Sequence, residues 1–269
     1  MKIVDFEPFV AELAAVAGEA ILPFFRTALH AQDKSGPAAG RGRFDPVTEA
    51  DRAAETAMRR LIQSTFPAHG IVGEEFGDHQ ADAEYVWVLD PIDGTKSFIS
   101  GLPTWGTLVA LEHRGVPVYG MMHQPFTHEK FFGDNARATW SGRNGHGTEI
   151  VHHLRARSCA ALADATVMTT SPALMDGAER ASFERVAAQA RLVRFGGDCY
   201  SYCMVAAGHV DLVIESGLQP YDIAALIPII KGAGGVVTTW TGEDAERGGA
   251  VVAAGDPRVH EAALKLLAG

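Results

Sequence analysis

The amino-acid sequence predicts a mixed fold, with an α+β arrangement in the N-terminal half and an α/β arrangement in the C-terminal half. Two long segments near the start repeat apolar residues at helical spacing. From Tyr85 onward, short apolar runs flank a tight turn, which is typical of antiparallel hairpins. Beyond about residue 150, short apolar runs alternate with helical stretches, which favours layered α/β structure.

The first two elements are predicted to be helices. The first helix lies within residues 6–28, and a polar stretch rich in Gly and Pro at 30–46 predicts a loop after it. The second helix lies within residues 48–66, where Thr48 stands at the N-cap position and Asp51 follows three residues later.

The remaining elements are mostly short strands. A strand is predicted over residues 85–90, and strands at 107–112 and 116–124 flank the turn 113–115 as an antiparallel hairpin. Apolar or Gly-rich segments at 131–134 and 139–147 continue this pattern. In the C-terminal half, the predicted strands are 166–171, 191–196, 210–215, 236–241 and 250–255, and the predicted helices are 199–208, 221–235 and 259–269.

Composition excludes several classes of protein. The chain has 269 residues, 47% of them hydrophobic, which is enough for a large core in one large domain or two small ones. A formal net charge of −10 argues against non-specific nucleic-acid binding. Nothing approaches the ~18 apolar residues of a membrane helix, and the acidic start is unlike a signal peptide. We therefore expect a cytoplasmic protein that binds neither nucleic acid nor membrane. The three cysteines predict buried thiols rather than disulfides.

Three acidic clusters have ordinary structural explanations when each is taken alone. Asp51 lies in the first turn of a predicted helix, where a carboxylate interacts favourably with the helix dipole. Glu74 and Glu75 are compatible with a solvated loop, and Asp222 directly precedes an apolar helix. None of the three indicates chemistry by itself.

The fourth cluster, residues 90–95 (DPIDGT), points to a cation and a phosphate. Asp90 and Asp93 lie three residues apart after an apolar strand, on a loop stiffened by proline, and can share a hard cation. The backbone amides of Gly94 and Thr95 open toward a helix and can bind phosphate oxygens. Because the ligands on offer are all oxygen atoms, the pattern favours Mg²⁺ or Mn²⁺ over Zn²⁺.

In order and spacing, four segments resemble the motifs of the inositol monophosphatase family: 47–51 (VTEAD), 73–75 (GEE), 90–95 (DPIDGT) and 220–225 (PYDIAA). The resemblance covers nearly the whole chain. It implies a layered αβαβα sandwich, a magnesium-dependent phosphomonoesterase inhibited by lithium, and a homodimer. It also implies a metal-binding half over residues 1–148 and a half over 149–269 that completes the substrate site.

The same resemblance implies a role for individual residues. One metal ion is held by Glu74, Asp90 and the carbonyl oxygen of Ile92, and a second by Asp90, Asp93 and Asp222; a third, weaker ion is held through Glu74 and water. The residues implied to orient and deprotonate the attacking water are Thr48, Asp51 and Thr95. Glu75 matches a position beside the metal ligands, and Tyr221 stands where the family commonly has Trp.

The C-terminal half resembles the histidinol-phosphate phosphatase branch of the family, through residues 194–202 and 208–215. The implied substrate-binding residues are Asp93, Gly94, Thr95, Gly197, Asp198, Glu215, Tyr221 and Asp222. Two acids beside the leaving group, Asp198 and Glu215, suit a substrate that carries an ammonium group and an imidazole ring. Asp198 has an alternative role as the N-cap of the helix at 199–208.

Three functions are therefore compatible with the sequence. The first is hydrolysis of L-histidinol phosphate in histidine biosynthesis. The second is hydrolysis of inositol 1-phosphate or of a broad range of sugar phosphates, which the catalytic motifs do not distinguish from the first. The third is a catalytically silent family member that binds a protein or RNA partner.

Overall fold

The computed structural model describes residues 6–27, 32–33, 46–47 and 49–269. The helices are α1 (Glu7–Ile21), α2 (Glu49–Thr65), α3 (Thr95–Ile99), α4 (Gly177–Ala187), α5 (Asp198–Ala206), α6 (Pro220–Ile223), α7 (Leu226–Gly232) and α8 (Pro257–Leu267), with single 3₁₀ turns at Leu162–Asp164 and Pro172–Leu174. The strands are β1 (Gln32–Asp33), β2 (Pro46–Val47), β3 (Gly70–Gly73), β4 (Tyr85–Asp93), β5 (Gly106–His113), β6 (Val116–Gln124), β7 (Glu129–Gly133), β8 (Ala138–Arg143), β9 (Glu149–His153), β10 (Thr166–Thr169), β11 (Leu192–Phe195), β12 (Leu212–Leu218), β13 (Val236–Thr239) and β14 (Gly249–Ala254).

Two sheets hold most of the strands. The seven-stranded sheet has the order β3-β4-β5-β6-β7-β8-β9, in which β3 is parallel to β4 and the other neighbours are antiparallel. The five-stranded sheet has the order β11-β10-β12-β14-β13, in which β10 is parallel to both of its neighbours and β14 is antiparallel to its own. The short strands β1 and β2 pair with each other.

Three clusters of buried side chains define five layers. The alternating side chains of β4 show the pattern: Trp87 and Leu89 pack with α1 and α2 on one face of the seven-stranded sheet. Val88 points the other way, into a cluster that includes α5, α7 and one face of the five-stranded sheet. The other face of that sheet packs with α4 and α8. The order is therefore helices, sheet, helices, sheet, helices, which confirms the predicted αβαβα sandwich.

Most predicted elements are present, one predicted helix needs correction, and one helix was not predicted. The helix predicted over 221–235 is divided into α6 and α7. Pro228 is the third residue of α7, where its missing N–H is one of those that a helix start leaves unpaired in any case. Helix α4 was not predicted, although Asp176 and Glu179 form a capping box at its start.

Three other predictions concern the cysteines, the division of the chain into two halves, and membrane helices. All three cysteines are buried and free, as predicted. Strand β9 pairs with β8, so the seven-stranded sheet continues past residue 148; the division into 1–148 and 149–269 stays a prediction. No helix in the described ranges combines the length and the apolar character needed to cross a membrane.

Candidate metal and phosphate site

Three carboxylates converge where the two halves of the chain meet. Asp90 and Asp93 lie at the end of β4, and Asp222 lies on the short helix α6. One oxygen from each carboxylate lies within 4.8 Å of the other two. The distance is short enough for one cation to contact all three side chains, although Asp222 is more than a hundred residues away in the sequence.

Electrostatic repulsion in this cluster shows why a cation fits. Asp90 is only 1% exposed. Burial raises the pKa of Asp90 well above its usual range, and the charges of Glu74, Asp93 and Asp222 raise it further. Burial also raises the pKa of Asp93, with added repulsion from Asp198 and Asp222. A hard divalent cation relieves this cost, and the donor set of carboxylates suits it.

The loop between Asp90 and Asp93 is fixed by its own hydrogen bonds. The backbone amide of Ile92 donates to Asp90 Oδ1 at 3.0 Å, and the Thr95 hydroxyl donates to the Ile92 carbonyl oxygen at 3.2 Å. The Thr107 hydroxyl on β5 donates to the Pro91 carbonyl oxygen at 2.8 Å. The register between β4 and β5 shifts between Asp90 and Asp93, an irregularity that bends the strand and re-aims side chains.

Asp93 also joins this loop to helix α5. The backbone amide of Cys199, in the first turn of α5, donates to Asp93 Oδ2 at 2.6 Å. The carboxylate of Asp93 thus satisfies one of the amides that a helix start leaves unpaired. A predicted metal ligand therefore also anchors the helix that carries predicted substrate residues.

The alternative of Asp198 as a helix cap is not what the structure shows. Helix α5 begins at Asp198 itself and has Gly197 as its N-cap residue, with φ 110°. The Asp198 carboxylate instead accepts a hydrogen bond from the Ser97 hydroxyl at 2.7 Å. Gly94, with φ 84°, allows this approach, because a Cβ there would lie 2.9 Å from the Asp198 carboxylate.

Glu215 on β12 is a further buried carboxylate of this site. It is 5% exposed, and its oxygens accept from the Thr170 amide at 2.5 Å and the Thr169 hydroxyl at 3.1 Å. Burial raises the pKa of Glu215 to about 7, and these hydrogen bonds oppose the rise.

A cleft of about 630 Å³ brings most of the predicted site residues together. The predicted residues that line it are Glu74, Asp90, Ile92, Asp93, Gly94, Thr95, Asp198, Glu215, Tyr221 and Asp222. Of the described lining residues, Lys96 alone carries a positive charge, and the sequence reasoning did not select it. The carboxylates of this cleft can hold a cation and can also bind a cationic or polar group of a ligand.

Two of the described predicted residues, Asp51 and Gly197, do not line this cleft. Asp51 is 1% exposed on α2, and its charge contributes to the raised pKa of Asp90. Gly197 lies at the start of α5. Thr48 falls outside the described residues. The assigned roles of all the site residues stay predictions.

A buried ion pair behind Glu74 was missed by the sequence reasoning. Glu55 on α2 is fully buried and accepts from Arg59 Nε at 2.7 Å. It also accepts from the backbone amides of Glu75 at 2.8 Å and Phe76 at 3.2 Å. A Glu and an Arg four residues apart on a predicted helix were the available signal, but such pairs are common on exposed helix faces.

Comparisons with known proteins agree on the family of this chain. The profile of the inositol monophosphatase family matches residues 5–268. The chain is 43% identical over 267 residues to the bifunctional phosphatase IMPL2, chloroplastic, of Arabidopsis thaliana, covering 95% of this chain and 72% of that protein. It is 34% identical to the histidinol-phosphatase of Chlorobaculum parvum, covering 86% of this chain and 84% of that protein. It is also similar to a solved structure of an inositol monophosphatase from Zymomonas mobilis, with a TM-score of 0.84, 38% identity, and coverage of 99% of this chain and 100% of that one.

Proposed function

The chain belongs to the inositol monophosphatase family, whose enzymes are metal-dependent phosphatases, and on this premise we propose that it hydrolyses L-histidinol phosphate to L-histidinol and phosphate. The observation that carries the proposal is a single cleft lined by two groups of carboxylates. Asp90, Asp93 and Asp222 form the first group, and Asp198 and Glu215 form the second, which is expected to contact the alcohol portion of the substrate.

The carboxylates of the first group are proposed to bind Mg²⁺, with Mn²⁺ as the alternative. Glu74, Asp90 and the carbonyl oxygen of Ile92 would hold one ion, and Asp90, Asp93 and Asp222 would hold a second. When bound, such cations neutralise phosphate charge and make an attacking water more acidic. The protein's own task is then to position the phosphate in line with that water.

Four residues complete the proposed phosphate site. The backbone amides of Gly94 and Thr95 bind phosphate oxygens at the cleft wall. The Thr95 hydroxyl orients the attacking water with Thr48, and Asp51 accepts its proton. Asp51 lies in the first turn of α2, and its charge helps to raise the pKa of Asp90, which supports a role near the metal ligands.

The alcohol portion decides the substrate. A histidinol group carries an ammonium group and an imidazole, which pair with Asp198 and Glu215, while the Tyr221 ring packs on the imidazole. Hydrogen bonds to charged groups contribute roughly 1.5–3 kcal/mol each, or about tenfold to a hundredfold in affinity. The similarity to a protein named histidinol-phosphatase supports this choice.

Inositol 1-phosphate is the second candidate, because the Zymomonas mobilis structure at 38% identity is titled an inositol monophosphatase. It uses the same metal and phosphate residues. An uncharged polyol gains less from two carboxylates than a cationic alcohol does, so the acidic wall favours histidinol phosphate.

The test compares kcat/KM for both substrates in the native protein, in Asp198→Ala and in Glu215→Ala. We expect native preference for L-histidinol phosphate and a loss in each variant that falls mainly on that substrate. Glu129→Ala is the matched control, since Glu129 is a carboxylate outside the cleft that accepts from Tyr200 and Trp140. Equal or better turnover of inositol 1-phosphate by the native protein would overturn the proposal.

We also propose that the enzyme is a homodimer that works in the cytoplasm. The homodimer is what the resemblance to the family implies. Light scattering over a wide range of protein concentration tests it, and a monomeric mass throughout that range would refute it.

A further inference from the structure

The hydroxyl group of Tyr202 has no hydrogen-bond partner among the described residues, although it is buried. Its ring packs in the central core with Cys199 and Cys203, and the residue is 3% exposed. Buried tyrosine hydroxyls usually find a partner, because leaving one unpaired costs free energy. An unpaired hydroxyl at this depth therefore needs an explanation.

The position of Tyr202 on α5 explains why its hydroxyl has no partner. Asp198, Cys199 and Tyr202 occupy one face of α5, and all three line the cleft. After burial itself, the charges that raise the pKa of this phenol come from Glu215, Asp93 and Asp222, in that order. The hydroxyl thus stays protonated, and Glu215, which lines the same cleft, has the largest effect among these charges.

We infer that the Tyr202 hydroxyl is a specificity-determining group that binds the polar substituent of the substrate's alcohol portion beside Glu215. The inference rests on the proposed phosphatase activity. In an aminoalcohol phosphate, the substrate ammonium donates a hydrogen bond to the phenol oxygen, and the nearby Glu215 carboxylate supplies the compensating charge. The missing partner of the buried hydroxyl is then the substrate itself.

Tyr200, on the same helix, is a natural comparison. Its hydroxyl donates to Glu129 Oε2 at 2.6 Å, and it does not line the cleft. Removing the Tyr200 hydroxyl breaks a hydrogen bond within the protein. Removing the Tyr202 hydroxyl breaks none that the described residues make, so the Tyr202→Phe protein should fold at least as stably as the native one.

The experiment compares native, Tyr202→Phe and Tyr200→Phe proteins in the presence of Mg²⁺. It measures kcat/KM for L-histidinol phosphate and for propyl phosphate, which lacks a polar substituent, together with the dissociation constant of L-histidinol by calorimetry. In Tyr202→Phe we expect a roughly tenfold to hundredfold loss on L-histidinol phosphate and weaker L-histidinol binding. Propyl phosphate should change by less than about twofold, and Tm should not fall. Tyr200→Phe should lower Tm and leave the substrate ratio unchanged.

Two results would overturn the inference. One is an unchanged kcat/KM ratio between the two substrates in Tyr202→Phe, and the other is unchanged binding of L-histidinol. If the native protein instead prefers inositol 1-phosphate, the proposed substrate fails, and the ratio of inositol 1-phosphate to propyl phosphate then tests Tyr202 in the same way. Loss of that ratio in Tyr202→Phe supports the inference, and its retention overturns it.

Discussion

Replacing Glu55 with Gln should weaken metal binding without touching a proposed metal ligand. Glu55 is fully buried and accepts the backbone amides of Glu75 and Phe76, which directly follow Glu74. Its partner Arg59 donates to the carbonyl oxygen of Phe76 and, at 2.8 Å, to that of Gly77. In the segment that follows Glu74, Glu55 therefore binds the backbone amides and Arg59 binds the backbone carbonyl oxygens.

The expected losses in the free energy of unfolding and in metal affinity follow from these contacts. Glutamine keeps the shape and one acceptor oxygen, but it removes the charge that Arg59 faces and turns the second oxygen into a donor. Breaking a buried ion pair costs about 3–5 kcal/mol when one charge is left unpaired. Because Arg59 keeps its two carbonyl partners, we expect a loss of about 2–4 kcal/mol in the free energy of unfolding. Disturbing a residue that supports a metal ligand typically lowers metal affinity about tenfold to a hundredfold.

Two measurements test this prediction: urea unfolding of the metal-free protein and calorimetric titration with Mg²⁺. Glu184→Gln is the matched control, because Arg180 and Glu184 form the same kind of i,i+4 pair at 3.0 Å on the exposed face of α4. That control should change stability by less than about 1 kcal/mol and leave Mg²⁺ affinity unaltered. If Glu55→Gln lowers stability but keeps native Mg²⁺ affinity, the pair supports the fold alone and the reasoning is wrong.

Three further predictions concern charge, pH and backbone geometry. Asp90→Asn should nearly abolish turnover. It should also raise Tm in EDTA, because the amide removes a buried charge that is repelled by its neighbours. A native kcat of Asp90→Asn at saturating Mg²⁺ would contradict the metal assignment. Burial lowers the pKa of His123 to about 4, below its usual 6.5, so the fold favours the neutral ring and loses stability as pH falls from 6.5 toward 4. The stability advantage of the native protein over His123→Gln should therefore shrink by about 2 kcal/mol between pH 7 and pH 5, and a constant difference in urea unfolding would refute this. Gly94→Ala should sharply reduce activity, because φ is 84° and the new Cβ would meet the Asp198 carboxylate, which strains the backbone there. Thr241→Ala, at the surface, controls for a generic loss of activity. A native kcat/KM in Gly94→Ala would show that the expected backbone strain is absent.

Local sequence patterns were sufficient where the governing interactions are local. The apolar run of β4 and the hairpin of β5 and β6 depend on alternating side chains and a tight turn, and both are present. The spacing of Asp90 and Asp93 likewise indicated a shared cation, and their carboxylates do lie together. The inclusion of Asp222 depended on the family resemblance, because nothing local links α6 to β4.

Interactions between distant segments explain what sequence reasoning missed. Helix α4 has few buried apolar residues, so its periodicity was weak, and only its capping box marked its start. Glu55 has the sequence context of an exposed helical acid, and its role depends on β3 bringing the Glu75 amide beside it. The local pattern also allowed Asp198 as the cap of α5, yet Asp93, 106 residues before Cys199, accepts the Cys199 amide instead.

The link between Asp93 and α5 has a functional consequence that neither element shows alone. The Asp93 carboxylate is shared between the proposed cation and the Cys199 amide, while Asp198, next along the chain, is tied to Ser97 on α3. Two adjacent residues thereby tie helix α5 to Asp93 and to α3, and one helical turn later Tyr202 lines the cleft. The proposed phosphate-binding and alcohol-binding groups thus share one support. In the proposed function, a phosphate held at Gly94 and Thr95 would set the distance at which its alcohol portion meets Tyr202 and Glu215, and the cleft would select the alcohol through that distance.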